Sequence, residues 1–233
     1  MKVSAIAALS LITLGVQSAH AATLDIKITN LTQGIYYTPI LIAAHSDDAH
    51  LFESGMTASI ELQMMAEGGN ISGLSTMLDG YSADKVENPA AGLLAPAQST
   101  MTMLETSEGN NMLSITAMML PTNDGFVGLD SWKIPTEAGT YSIFLNAYDA
   151  GTEANNELIL EGSGAPGMLG IPAAPGTGAG MAGSSVTNEE TNTMIHIHRG
   201  TLGDDDMEGG KSDLNNTVHR WLNPVAKVTI TVK

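Results

Sequence analysis

Cysteine is absent from this chain of 233 residues, so it can build no disulfide framework, thiol nucleophile, iron–sulfur cluster or cysteine-ligated zinc site. Aromatic residues are scarce at 4%, and two tryptophans leave little flat surface for holding sugar rings. Positive charge is scarce too: 9 Lys and Arg stand against 25 Asp and Glu, a formal net charge of −16. Such a surface repels nucleic acid and anionic membrane, and neither is an expected partner. There is no nucleophile elbow, phosphate loop, dinucleotide fingerprint or metalloprotease helix, so an enzyme is not expected. What the chain does have is 43% hydrophobic residues, too many for a disordered acidic polymer, and a packed core is predicted.

The first 21 residues, MKVSAIAALSLITLGVQSAHA, read as a signal peptide. Lys2 is the charged start, an apolar run follows, and Ala19-His20-Ala21 places small residues at −3 and −1 of a cleavage site. That run is too short to span a membrane, and no later segment approaches the ~20 apolar residues required. The expectation is an exported protein of the periplasm or exterior without an integral membrane segment. Losing Lys2 takes the formal charge from −16 to −17. The remainder, residues 22–233, suits one all-β domain.

The mature chain reads mainly as strands. Residues 24–28 (LDIKI) alternate apolar and polar, the period of a strand with one buried face. Further strands are predicted at 35–44, 100–106, 112–120, 140–148, 193–198 and 225–232. The stretch 108–111 (EGNN) reads as a hairpin connection between two of them. A helix is predicted over 57–67, capped by Thr57 with Ile60, Met64 and Met65 on one face, and a second over 72–78. Seven to eight strands with one or two short helices predict an antiparallel β-sandwich. Residues 162–185 hold eight glycines and three prolines with almost no charge, and read as a flexible loop between strands of one domain.

Two acidic stretches carry the chemistry. Residues 122–130 (TNDGFVGLD) and 148–153 (YDAGTE) each read as a loop leaving a strand, and a sandwich gathers such loops at its ends. Asp149 and Glu153 lie four residues apart around Gly151, so the chain can fold back and aim both carboxylates inward. Carboxylate and carbonyl oxygens suit a hard cation. The competing reading is that each acid only caps a turn.

The two stretches together, in this order, resemble the spondin N-terminal domain, the module of F-spondin and mindin, of which bacteria carry a secreted branch. Tyr37-Thr38-Pro39, Ala44-His45, Ala66-Glu67-Gly68-Gly69 and Asn223-Pro224-Val225-Ala226-Lys227-Val228 extend the resemblance over nearly the whole mature chain. It implies a single β-sandwich with a calcium ion held by end loops, and Asp124, Asp149 and Glu153 fall on the family's ligand positions. Two departures stand out. Animal members carry Trp at or beside Phe126, and their second motif ends in Asp where this chain has Glu153. The Gly-rich loop has no counterpart in the animal modules, so their matrix and receptor roles are not carried over.

Histidine forms a second constellation. His196 and His198 flank Ile197 in a predicted strand, where period 2 sends both imidazoles to one face. With a third ligand, most plausibly His45, such a pair can chelate copper or zinc. Histidines satisfied by structural hydrogen bonds are the competing reading. Methionine pairs such as Met64-Met65 fall in apolar runs, as core fillers do. The run 204–208 (DDDME) reads as solvated surface. Two functions follow: a non-enzymatic calcium-binding module for adhesion, its partner a protein or glycan surface, or alternatively a periplasmic copper- or zinc-binding protein.

Overall fold

The computed structural model describes residues 21–233, and the leader segment lies outside the described residues but for Ala21. In chain order the elements are β1 (Thr23–Asn30), β2 (Tyr36–Tyr37), β3 (Leu41–His45), α1 (Ile60–Gly68), α2 (Ser72–Asp79), β4 (Asp84–Glu87) and β5 (Ser99–Glu105). They continue as β6 (Met112–Leu120), β7 (Gly125–Lys133), β8 (Gly139–Asp149), β9 (His196–Ile197) and β10 (Ala226–Val232). The strands pair antiparallel in the order β4-β3-β6-β7-β8-β10-β1-β5, with β2 joined to β6 and β9 to β8. The two outer strands nearly meet. The Asp84 carboxylate accepts from the Ser107 amide at 2.5 Å, the Ser107 hydroxyl at 2.8 Å and the Asn110 side-chain amide at 2.8 Å. The result is the expected all-β, antiparallel fold, curled almost into a barrel.

Alternation sets which residues enter it. Leu24, Ile26 and Ile28 of β1 meet Val228, Ile230 and Val232 of β10 and Leu104 of β5 in the interior. The central strand β6 is buried on both faces, which is why its sequence is a nearly unbroken apolar run. Leu113, Ile115, Ala117 and Met119 point into the interior. Met118 and Leu120 face outward, where Leu62, Met65, Leu74 and Leu78 of the two helices cover them in a second cluster.

Several expectations need correction. The stretch 35–44 is two strands rather than one, because Pro39 interrupts the ladder. Thr38 bridges the gap: its amide donates to the Met118 carbonyl at 3.0 Å and its hydroxyl accepts from the Met118 amide at 3.1 Å. The cap of α1 is Ser59, whose hydroxyl accepts from the Leu62 amide at 3.1 Å, not Thr57. Its buried face holds Leu62, Met65 and Ala66, while Ile60 is exposed. Residues 108–111 are no hairpin. β5 pairs with β1 at one edge and β6 sits between β3 and β7, so this turn crosses between distant strands. The stretch 122–130 is a loop only as far as Asp124, and from Gly125 it is strand β7. Gly128 there marks a close approach rather than a turn, since a Cβ would lie 2.6 Å from the Phe52 ring.

The glycine-rich stretch 162–185 forms no regular element, as expected, yet it is tied down. Ile171 is fully buried and bridges Ile159. The amides of Gly167, Gly170 and Gly183 donate to the carboxylates of Glu67, Glu153 and Asp213 at 3.0, 2.9 and 2.9 Å. On either side of it, β8 and β10 pair along seven residues.

Candidate functional site: a buried acidic cluster

The turn after β6 and the last residue of β8 meet because β7 and β8 pair with Gly125 opposite Asp149. That register sets Asp124, one residue before β7, beside the end of β8, and the chain then turns at Gly151 to bring Glu153 back. Gly151 has φ +69°, and a Cβ would meet the Thr193 backbone at 2.7 Å, so the turn needs glycine. Asp124, Asp149 and Glu153 are all buried.

Each carboxylate has a definite set of partners. One oxygen of Asp124, Oδ2, accepts from the Thr152 amide at 2.9 Å, the Thr152 hydroxyl at 3.2 Å and the Glu153 amide at 3.1 Å. Its Oδ1 is buried without a partner. Asp149 accepts from the Gly151 amide at 2.9 Å through Oδ1 and from the Asn155 side chain at 2.7 Å through Oδ2. Glu153 Oε2 accepts from the Gly170 amide at 2.9 Å and from Asn123 at 3.3 Å, while Oε1 is buried and unpartnered. Among the described residues no lysine or arginine pairs with any of the three.

Burial without a cationic partner has the expected electrostatic effect. Desolvation raises the Asp124 pKa well above the carboxylate range, and the charges of Asp149 and Glu153 raise it further. Glu153 is pushed up to about 7, first by burial, with Glu67 nearby adding to the rise. Glu67 was not singled out as a site residue from the sequence. It is fully buried in the last turn of α1, accepting from Gln63 at 2.7 Å and from Gly167 at 3.0 Å. A carboxylate there faces the negative end of the helix dipole, and that misplacement was the available signal. Asn123 and Asn155, which hold Glu153 and Asp149, sit in turns where asparagine is too common to stand out.

The histidines divide into two groups. His196 and His198 do share a face: their Nε2 atoms lie 3.8 and 4.0 Å from Asp149 Oδ2. His198 has both ring nitrogens engaged, Nδ1 accepting from the Gly200 amide at 2.9 Å and Nε2 donating to Asn155 at 3.1 Å. Burial, with the charge of Arg199, lowers its pKa to about 3, so the ring is neutral. His45 is elsewhere. It pairs opposite Met112 and contacts Ser114 at 2.7 Å, whereas the acidic cluster adjoins the Met118 end of β6, six residues or about 20 Å away. The set His45, His196 and His198 is therefore not assembled, because β3 runs to the opposite end of the sheet. Among the described residues no three His, Cys, Asp or Glu side chains converge as a ready-made metal cluster. Asp149, with both oxygens already engaged, is the group that would have to release a partner.

In the acidic run 204–208, Asp204 accepts backbone amides from Asp206, Lys211 and Ser212 at 3.1, 2.7 and 2.9 Å, which hold its carboxyl below the usual range. This is a structural turn. Among the described residues no helix is long and apolar enough to cross a membrane.

No curated protein matches the chain. The Spondin_N family model matches residues 27–157, more than half of the chain, and that span contains Asp124, Asp149, Glu153, Glu67 and the strands that position them. The β-rich architecture and the family match agree, and the chain belongs to the Spondin_N family.

Proposed function

We propose that this protein is an exported, non-enzymatic module that binds calcium through Asp124, Asp149 and Glu153 and serves adhesion or another surface interaction. The observation that carries the reading is the pair of buried carboxylate oxygens without partners, Asp124 Oδ1 and Glu153 Oε1, in a cluster that no lysine or arginine among the described residues neutralises. Leaving such oxygens buried and unpaired is costly, and a hard cation relieves both the desolvation and the mutual repulsion. Asp149 joins the ligand set by exchanging the Asn155 amide for the cation. A cation seated there supplies charge neutralisation and crosslinks two chain segments. Membership of an extracellular-type family supports the exported setting.

The histidine pair gives less support to a copper or zinc protein, since His198 has no free nitrogen and His45 is remote. The test is melting temperature with and without calcium, together with metal content of the untagged protein. Binding adds RT ln(1 + [L]/Kd) to stability, about 2.7 kcal/mol at a hundredfold excess over Kd. Chelator is expected to lower the melting temperature and calcium to restore it. An Asp124→Asn protein that still responds fully to calcium would count against the assignment, as would stoichiometric copper or zinc lost in His198→Ala.

A further inference from the structure

The chain has two arginines, Arg199 and Arg220, and both line one groove of about 640 Å³ together with Thr201, Leu202, Trp221 and Leu222. The groove lies beyond the span that the family match covers. It is built from two segments fastened side by side. The Thr201 hydroxyl donates to the His219 carbonyl at 2.6 Å, and Arg220 Nε donates to the Leu202 carbonyl at 2.5 Å. Between them Gly200, at φ +92°, lies so close that a Cβ would come within 2.8 Å of the Trp221 carbonyl oxygen. The surface is thus preformed.

Its charge is out of keeping with the molecule. Acids outnumber bases 25 to 9, yet among the described residues neither arginine lies within 4.0 Å of a carboxylate. With Nε held by Leu202, the guanidinium of Arg220 is aimed by an internal bond and keeps its terminal nitrogens for another acceptor. Beside the guanidinium groups stand apolar side chains in water: Leu222 is 85% exposed and Leu202 42%. Trp221 lines the groove but is largely buried, its ring fixed against His198 with centroids 4.9 Å apart. Paired forks for an oxyanion next to unsatisfied apolar surface describe a ligand with one anionic group on an apolar body.

We propose that this groove binds the free C-terminal carboxylate of a peptide with an apolar last residue. The carboxylate lies between Arg199 and Arg220, and the terminal side chain rests on Leu202, Trp221 and Leu222. The net charge of −16 selects for this ligand, because a single carboxylate suffers less long-range repulsion than a phosphate or a polyanion. The open apolar surface of Leu202 and Leu222 is matched to one residue and not to a long acyl chain, most of which would remain in water.

Two arginines mean two Nε–H signals in the NMR spectrum of the full mature chain, and these report the site directly. Acetyl-Gly-Ala-Leu with a free carboxylate is expected to shift both signals saturably, and its C-terminal amide to bind about tenfold more weakly. R199Q and R220Q are each expected to weaken the free acid about fivefold or more. The exposed position of Arg199 lets R199Q keep the wild-type melting temperature. Equal binding of acid and amide, undiminished binding in R199Q, or no shift at millimolar peptide would overturn the proposal. So would shifts produced by decanoate or inorganic phosphate but not by the peptide.

Discussion

Glu67, Asp124 and Glu153 show how single residues hold this protein in an electrostatically unfavourable arrangement, and two histidines show the same physics in a simpler form. His50 donates to Asp130 across 2.6 Å, and that bond, more than any other cause, raises its pKa above 6.5. Protonated His50 therefore contributes stability that is complete below the unfolded value and is lost as pH rises through the raised folded value. His219 is the opposite case. Burial lowers its pKa, so below about 6.5 the unfolded chain takes up a proton that the fold refuses, and stability falls as pH falls. Glu153 and His198 add trends of the same two signs. It is therefore the difference between variant and wild-type melting curves over about pH 5 to 8 that isolates each of the two histidines. His50→Gln is expected to flatten the decline on the alkaline side, and His219→Gln the decline on the acid side. A variant that keeps the wild-type pH profile would remove its histidine from this account. The unpaired oxygens of Asp124 and Glu153 were not legible in the sequence, because a spacing of acids says nothing about which amides will reach them.

At the level of elements, strand signals survived wherever one face met the core and one met solvent, as in β1 and β10. They failed over 125–130, where the sequence reads as loop and the structure has strand β7. Gly128 belongs to β7 because it makes room for Phe52, whose ring meets Phe126 at 5.0 Å and Tyr148 at 4.8 Å. In the glycine-rich stretch, which composition reads as a flexible loop, buried carboxylates accept from several of its amides. Its anchors at Gly167, Gly170 and Ile171 leave residues 173–179, which have fewer ties, as the preferred place for protease attack. Limited proteolysis is expected to cut there first, and Glu67→Ala, which removes the acceptor for Gly167, to bring cleavage into 164–171. The two fragments are expected to stay associated through the β8–β10 pairing. Release of separately folded fragments would show that this pairing does not hold the halves together.

The whole molecule is a sheet with two kinds of outer surface: the helices cover β3, β6 and β7, while the outer side of β8, β10, β1 and β5 is open. Neighbouring residues of β8 report the difference. Leu145 is buried in the interior, and Phe144 is 60% exposed with Lys227 over its ring at 6.0 Å. Leu145→Ala is expected to cost about 2–5 kcal/mol in denaturant unfolding, and Phe144→Ala about 0.5 kcal/mol or less. Similar losses at both positions would contradict the inward and outward assignment. The sequence by itself determined the all-β class, the buried face of β1, the second helix, and the two stretches that supply Asp124, Asp149 and Glu153. These follow from side-chain period and local backbone chemistry, which neighbouring residues decide among themselves. Only the tertiary structure decided that β5 and β6 part company, that His45 lies toward the opposite end of β6 from the acidic cluster and its two histidines, that Glu67 adjoins Glu153, and that both arginines line one groove. Those juxtapositions arise from strand order and burial between distant segments, and a local pattern carries no record of which distant surface will cover it.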